Sequence, residues 1–433
     1  MNISIAIMAA GFGTRMRSAT PKVLHTISGY PMLYHIIKEA KKISNDIHVI
    51  LYHEASLIQE QMNQYFEDLH FILQDHKKFP GTGGALMGVK PKYEKLLVLS
   101  GDMPLVRSQD MEMFINPDVK IVLSSFKSQN PFGYGRVICD DGGDVLKIVE
   151  EKDANEKEKK VQILNGGIYC FDTQFLIQNL TKLQNNNAQK EYYITDLIAI
   201  AKAQNFKVTA LEFTETTLLG VNSKVHLAQA EEHMQRRIKE HFMHQGVLMR
   251  LPESIYIESG VVIEGECIIE NGVSLLKDAR IINSHIKTNS VVEASIIENS
   301  SVGPMARIRP NSHLIDSHVG NFVELKNAKL RGVKAGHLSY LGDCSIDEGT
   351  NIGCGTITCN YDGKNKYQTT IGKNVFIGSD SQLIAPVTIE DDVIIASGTT
   401  ITENIKKGSL AINRAPLRTI ENFFYRFFNK ESK

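Results

Sequence analysis

Residues 371–401 read IGKNVFIGSDSQLIAPVTIEDDVIIASGTTI, and Ile371, Ile377, Leu383, Ile389, Ile395 and Ile401 stand six residues apart within them. Neither the period of a helix nor that of a strand gives this spacing. A six-residue repeat is the pattern of a parallel β-helix. Each hexapeptide there forms one flat side of a coil and turns one aliphatic side chain into the core. The spacing recurs upstream at Ile255, Val261, Cys267 and Val273, and at Ile346 and Ile352. From Leu251 to Ile412 the repeat predominates, and at about 18 residues per coil this length predicts about nine coils. Asn, Gly, Asp and Ser crowd the positions between the aliphatics, where corners need tight or left-handed backbone. The phase slips between Ile352 and Ile371, so residues 359–367 are expected to loop out of their coil. The tail from Arg418 to Lys433 carries Phe423, Phe424, Tyr425, Phe427 and Phe428 and reads as an amphipathic helix lying on the domain or on a partner chain, with no chemistry assigned to it.

The first half of the chain is different. Residues 3–8, 47–52, 96–99 and 119–124 read as strands, and 32–42, 56–65 and 109–115 as helices. This alternation predicts a mainly parallel sheet covered on both faces, with ligands at the carboxyl ends of its strands. Residues 223–245 lack Gly and Pro, are rich in Glu, Gln, Lys, Arg and Ala, and are followed by Gly246. They predict one long helix between two domains. The expected division is therefore 1–222, a linker helix 223–245, and 246–433.

With 433 residues the chain has room for two or three cores. Its 48 basic and 49 acidic residues give no field favouring nucleic acid. It has no apolar run long enough to span a membrane, and its N-terminus reads as a buried strand rather than a secretion signal. The six cysteines form no CxxC pair, which argues for reduced thiols in a cytoplasmic protein.

The most specific motif is Met8-Ala9-Ala10-Gly11-Phe12-Gly13-Thr14-Arg15-Met16, followed by Pro21-Lys22. A strand enters a Gly-rich turn whose N–H groups can hold phosphate, and two cations follow to neutralise a polyphosphate. This stretch closely resembles the sugar-1-phosphate nucleotidyltransferases. Further matches follow in order: Gln74 with Gly81-Thr82-Gly83, Gly101-Asp102-Met103-Pro104, Gly133-Tyr134-Gly135-Arg136, Val149-Glu150, Asn165-Gly166-Gly167 and Gly220-Val221-Asn222. The resemblance implies an α/β Rossmann-like nucleotidyltransferase (pyrophosphorylase) domain. It implies that Asp102 and Asn222 hold Mg2+, and that Arg15 and Lys22 take the phosphates. Met8, Ala9, Ala10, Gly11, Gln74, Gly81, Thr82 and Gly101 would line the nucleotide, and Gly135, Glu150 and Asn165 the sugar.

The repeat region carries its own ordered segments: Arg307-Ile308-Arg309-Pro310, 320–326 (GNFVELK), 334–343 (KAGHLSYLGD) and 355–363 (GTITCNYDG). Together the two halves resemble the bacterial bifunctional N-acetylglucosamine-1-phosphate uridylyltransferase and glucosamine-1-phosphate N-acetyltransferase family. That resemblance implies a left-handed parallel β-helix fed by acetyl-CoA, with UTP as the other co-substrate. It implies a cytoplasmic homotrimer supplying UDP-N-acetylglucosamine for peptidoglycan and lipopolysaccharide. His337 is the implied base, because imidazole titrates near neutrality, and Glu324 its partner. Arg309, Lys326, Tyr340 and Asn351 would bind the amino-sugar phosphate. Asn360 and Tyr361 would border the acetyl group, with Cys354, Ser379, Ser397 and Arg414 along coenzyme A.

Three positions depart from the family pattern near the nucleotide: Ser100 where Tyr is common, Phe79-Pro80 in a longer segment, and Gly84 where His is common. Ser397 stands where Ala is usual. Other nucleotidyltransferases with β-helical tails would lack the paired 334–337 and 359–363 segments.

Overall fold

The apolar N-terminal run forms strand β1 (Ser4–Met8), buried along almost its whole length. In a computed structural model, which describes residues 2–116, 118–140 and 143–431, the chain divides into two units, Met1–Arg237 and Ile238–Lys433.

In the first unit β1 lies between β2 (Asp46–Leu51) and a strand from a later crossover, Lys95–Ser100, with both pairings parallel. With β3 (His70–Leu73), β4 (Lys95–Ser100), β5 (Ile121–Lys127), β6 (Arg136–Cys139), β7 (Val145–Val149), β8 (Ile163–Asp172) and β9 (Val208–Glu212), these form one sheet of order β9-β5-β8-β4-β1-β2-β3. Only β8 runs antiparallel along that path, and β6 and β7 extend from it as a hairpin. Side chains alternate between two cores. Ile5, Ile7, Val49, Leu97 and Leu99 belong to one, and Ala6, Ile50, Leu96 and Val98 to the other. A strand buried on both faces reads as a continuous apolar run, which is what the sequence of β1, β2 and β4 shows. Helices Met32–Ala40, Ala55–Asn63 and Ser108–Glu112 fall where the sequence places them, within two or three residues at their ends. The carboxyl ends of β1, β2, β3 and β4 converge at one edge, as expected of an open α/β sheet.

Helix Lys224–His244 spans the division between the units. The second unit is a β-helix whose rungs all pair in parallel. Ile257, Ile263, Ile269, Leu275, Ile281, Ile286 and Val292 begin a continuous buried column that runs to Ile401. One face holds ten strands, from Leu248–Met249 to Leu410–Ala411, rather than the nine coils expected. Coils shorten in the middle: Tyr256 pairs with Ser274 and Gln382 with Thr400, both 18 apart, but Arg280 pairs with Ile296, 16 apart. The corners absorb this drift through left-handed backbone at Asn283, Asn289, Asn299, Asn311, Asp316 and Asn327. Asn and Asp tolerate that conformation best among non-glycine residues. Buried serines stitch coil to coil: Ser284 Oγ accepts from the Ser300 N–H, Ser300 Oγ from Ser317, and Ser317 Oγ from Val333. They satisfy backbone donors that a corner leaves without a strand partner.

The phase slip is an inserted hairpin. Cys344 pairs with Thr369, 25 residues on, and Tyr361 bridges Lys366 antiparallel. The tail forms a five-residue helix, Phe423–Phe427, with its aromatic rings exposed.

Candidate active sites

At the carboxyl edge of the first sheet, Met8, Ala9, Ala10, Gly11, Lys22, Gln74, Gly81, Thr82 and Asp102 line a single pocket. These are the strand-end residues that the sequence motifs single out. Gly101 lies buried behind them, its N–H donating to the Met8 carbonyl at 2.9 Å. Lys22 sits in a 3-10 turn after Pro21. Its ammonium lies 2.5 Å from Asp102 Oδ2 and 3.1 Å from Asn222 Oδ1. Asp102 is held from two sides. The Ser100 hydroxyl donates to Oδ1 at 2.6 Å, and the Val221 N–H donates to its carbonyl at 2.9 Å. Ser100 and Lys22 therefore orient this carboxylate, one on each oxygen. Gln74 spends its amide N–H groups on the Phe79 and Gly81 carbonyls. That leaves its side-chain oxygen as an acceptor at the pocket wall.

Gly84 has a steric reason. A Cβ there would meet the Phe79 carbonyl oxygen at 2.1 Å, so the longer 79–80 segment occupies the place of a side chain. Phe12, which the motif contains without a role, and His76, which no motif contains, also line the pocket, as do Val23, Ala85 and Glu191. Phe12 packs edge-on to Tyr52 and His76, whose rings stack at 4.7 Å.

Gly135, Glu150 and Asn165 form a second group. The Cβ position of Gly135 lies 3.4 Å from Glu150 Oε2 and 3.5 Å from Asn165 Cβ. Burial pushes the Glu150 carboxyl above its ordinary range, and Asp153, Asp196 and Glu191 add to this against a hydrogen bond from Thr195. Glu191 also lines the nucleotide pocket, so the two groups adjoin. Arg15 is exposed and acts electrostatically on Tyr134, as does Asp102.

In the second unit, His337 ends strand Lys334–His337 and is exposed, in register with Asn321 on the coil before. Glu324 pairs in register with Tyr340, and its carboxylate accepts from the Arg309 guanidinium at 3.0 Å. Among the described contacts Glu324 is engaged by Arg309. The Lys326 pKa is lowered first by the neighbouring Lys366 amine, then by slight desolvation and by the charges of Lys366 and Arg309, against Asp343. Three cations therefore crowd one patch, and Lys366 is the one that motif reading missed. Its place in the inserted hairpin, 40 residues from Lys326, hid it. Asn360 donates to Asp343, and the exposed Tyr361 donates to the Gly363 carbonyl at 2.6 Å. Asn351 lies in register with Lys334. Cys354, Ser379 and Ser397 are exposed at one corner of successive coils. The Asp380 N–H donates to the Cys354 carbonyl, the Gly398 N–H to that of Ser379, and Arg414 to that of Ser397. Among the described residues no group of three His, Cys, Asp or Glu is arranged to hold a metal.

Residues 5–216 match the nucleotidyl transferase family model. Residues 368–403 match bacterial transferase hexapeptide (six repeats), and 253–277 the hexapeptide repeat of succinyl-transferase. The bifunctional protein GlmU of Aliarcobacter butzleri is 62% identical over 430 residues, covering 99% of each chain. That of Nitratiruptor sp. is 59% identical over 430 residues, 99% of this chain and 100% of its own. That of Campylobacter jejuni is 49% identical over the same length, with the same coverage. Identity of 49–62% over 99% of the chain makes it a member of the bifunctional GlmU family.

Proposed function

We propose that the second unit transfers an acetyl group from acetyl-CoA to glucosamine-1-phosphate. The first unit then couples the product to UTP, releasing pyrophosphate and UDP-N-acetylglucosamine. The observation that carries the reading is the convergence of nine separate motif residues, 8–11, 22, 74, 81, 82 and 102, on one pocket.

In the first unit the sugar phosphate oxygen attacks the α-phosphorus in line, and no covalent protein nucleophile is needed. The Gly-rich turn after β1 holds phosphate oxygens on its N–H groups, and Arg15 and Lys22 spread the developing charge. Gln74 accepts from the N3–H of uracil, a donor that cytosine lacks. Phe12 and His76 give an aromatic wall to that end of the pocket. Glu150 and Asn165 hold the sugar. Asp102 and Asn222 fit Mg2+, because two hard oxygens already contact one cation, the Lys22 ammonium, at 2.5 and 3.1 Å. Bound there, the ion neutralises phosphate charge.

In the second unit Arg309, Lys326 and Lys366 take the phosphate. The crowding that lowers Lys326 is relieved by a dianion. His337 accepts the proton that the amine loses as it attacks the thioester. Asn360 and Tyr361 border the acetyl group, and the corner of Cys354, Ser379, Ser397 and Arg414 carries coenzyme A. Phe376, Ile394 and Leu410 stand exposed in register on one face. This apolar row supports a homotrimer packed through the prism. Among the described residues no helix is long and apolar enough to cross a membrane. We place the enzyme in the cytoplasm, where UTP and acetyl-CoA are made. Incubation with glucosamine-1-phosphate, acetyl-CoA, UTP and Mg2+ should yield a product with the mass of UDP-N-acetylglucosamine. Accumulation of neither intermediate nor product would reject the reading.

A further inference from the structure

We infer that Lys22 is a built-in placeholder for the metal. Its ammonium contacts both Asp102 and Asn222, so a divalent ion enters that pair only with the nucleotide that draws the ammonium away. The inference rests on the metal reading of Asp102 and Asn222 given above. It adds an order of events and a coupling between two ligands.

Three observations carry it. The first is position: Lys22 Nζ stands 2.5 Å from Asp102 Oδ2 and 3.1 Å from Asn222 Oδ1, so it already neutralises the carboxylate and uses both oxygens. An ion within about 2.1 Å of the same two oxygens would lie almost on top of the ammonium. Like charges at that distance exclude one another. The second is rigidity on the oxygen side. Ser100 and Val221 hold Asp102, and Asn222 is tied by its own N–H to His226 and by its side-chain amide to Gly220, both at 3.4 Å. The pair is not assembled by the ammonium and would persist without it. The third is mobility on the lysine side. The root of Lys22 is fixed against Gly13, but beyond Cβ lie three more flexible methylenes, and Lys22 lines the same pocket as the Gly-rich turn. A triphosphate seated on that turn offers the ammonium a stronger anion than one carboxylate. As Lys22 swings to it, Asp102 and Asn222 become free in the same step.

Metal and nucleotide then bind with positive coupling, and by linkage each raises the affinity of the other equally. The free ion alone should bind poorly, because it must first expel a paired ammonium into a site without another anion.

The test uses Mn2+ as the probe, read by electron paramagnetic resonance on the full-length chain. Wild type should bind Mn2+ at this pair only weakly in the absence of nucleotide, and one ion tightly with a non-hydrolysable α,β-methylene UTP analogue. Lys22→Met keeps the stem against Gly13 but removes the charge. It should bind nucleotide-free Mn2+ at least tenfold more tightly than wild type, and adding Asp102→Asn should abolish that gain. Lys22→Gln, checked like Lys22→Met for an unchanged circular dichroism spectrum, should show the same gain. Equal nucleotide-free affinity in wild type and both variants would overturn the placeholder. If Mn2+ bound with the analogue is indifferent to Asp102→Asn, the metal reading itself fails. If that dependence holds while neither Lys22 variant gains, only the placeholder fails.

Discussion

Gly13 and Lys22 touch so closely that a Cβ on Gly13 would stand 2.7 Å from the Cβ of Lys22. Gly13 also has φ +64, in the left-handed region. The second glycine of the turn is therefore the seat of the lysine nine residues later, and only glycine fits both demands. Gly13→Ala should cost about 1–2 kcal/mol of backbone strain. By displacing Lys22 it should lower uridylyl transfer about 10²-fold. Steady-state assay of both half reactions checks this, with acetyl transfer expected to stay at wild-type rate.

Asp102→Ala should abolish uridylyl transfer and spare acetyl transfer, while His337→Ala should do the reverse. Asp102 stands at the nucleotide pocket and His337 on an exposed strand end of the prism, in different units. Loss of both activities in either well-folded single mutant would reject independent sites.

Glu150 sets function against stability. Its carboxyl is raised above the ordinary 4.5, first by burial and then by neighbouring carboxylates. A folded-state value above the unfolded one means that ionised Glu150 destabilises the fold at neutral pH. This cost fades as pH falls through the folded value and is gone below about pH 4. Glu150→Gln should raise Tm at neutral pH and leave it unchanged in that acid range. It should also lower uridylyl kcat/KM by about tenfold or more, the usual worth of a charged hydrogen bond. Paired thermal melts and kinetics would show it; an equal Tm gain at all pH values would refute the electrostatic cause.

Lys366→Met should raise the KM for glucosamine-1-phosphate about 10- to 100-fold, a charge-assisted phosphate contact being worth about 1.5–3 kcal/mol. The KM for acetyl-CoA should hold, because Lys366 acts on Lys326 and shares a pocket with Asn327, Lys329 and Asp343, none of them on the corner that carries Cys354, Ser379 and Ser397. Initial-rate kinetics varying each substrate separate the two.

Ile377 is fully buried in the prism column. Ile377→Ala should destabilise the second unit by about 2–5 kcal/mol, as lost transfer energy plus a cavity. Chemical denaturation followed by acetyl-transfer activity would measure it.

Periodicity was legible wherever one physical rule acts at every repeat. Every sixth residue of 371–401 must be aliphatic because each strand turns one side chain into the same column, and Ile371 to Ile401 are all buried there. Strand–helix alternation was legible for the same reason, and so were the glycine and cation motifs, because close phosphate approach restricts residue type locally. The number of coils was not, because a corner shortened by a residue or two leaves no mark on composition, only left-handed backbone at Asn283 or Asn299.

The sequence by itself determined the two architectures, their order and the residue types at each strand end. Those depend on local sterics and on which side chains leave water. The tertiary structure alone decided partnerships. It gave Asp102 to Ser100, Val221 and Lys22, placed Gly84 under the Phe79 carbonyl, and brought Lys366 from an inserted hairpin to Lys326. Charges and hydrogen-bond donors act over a few ångströms of space, and nothing in a linear pattern states which distant residues the sheet and the coils bring within that reach.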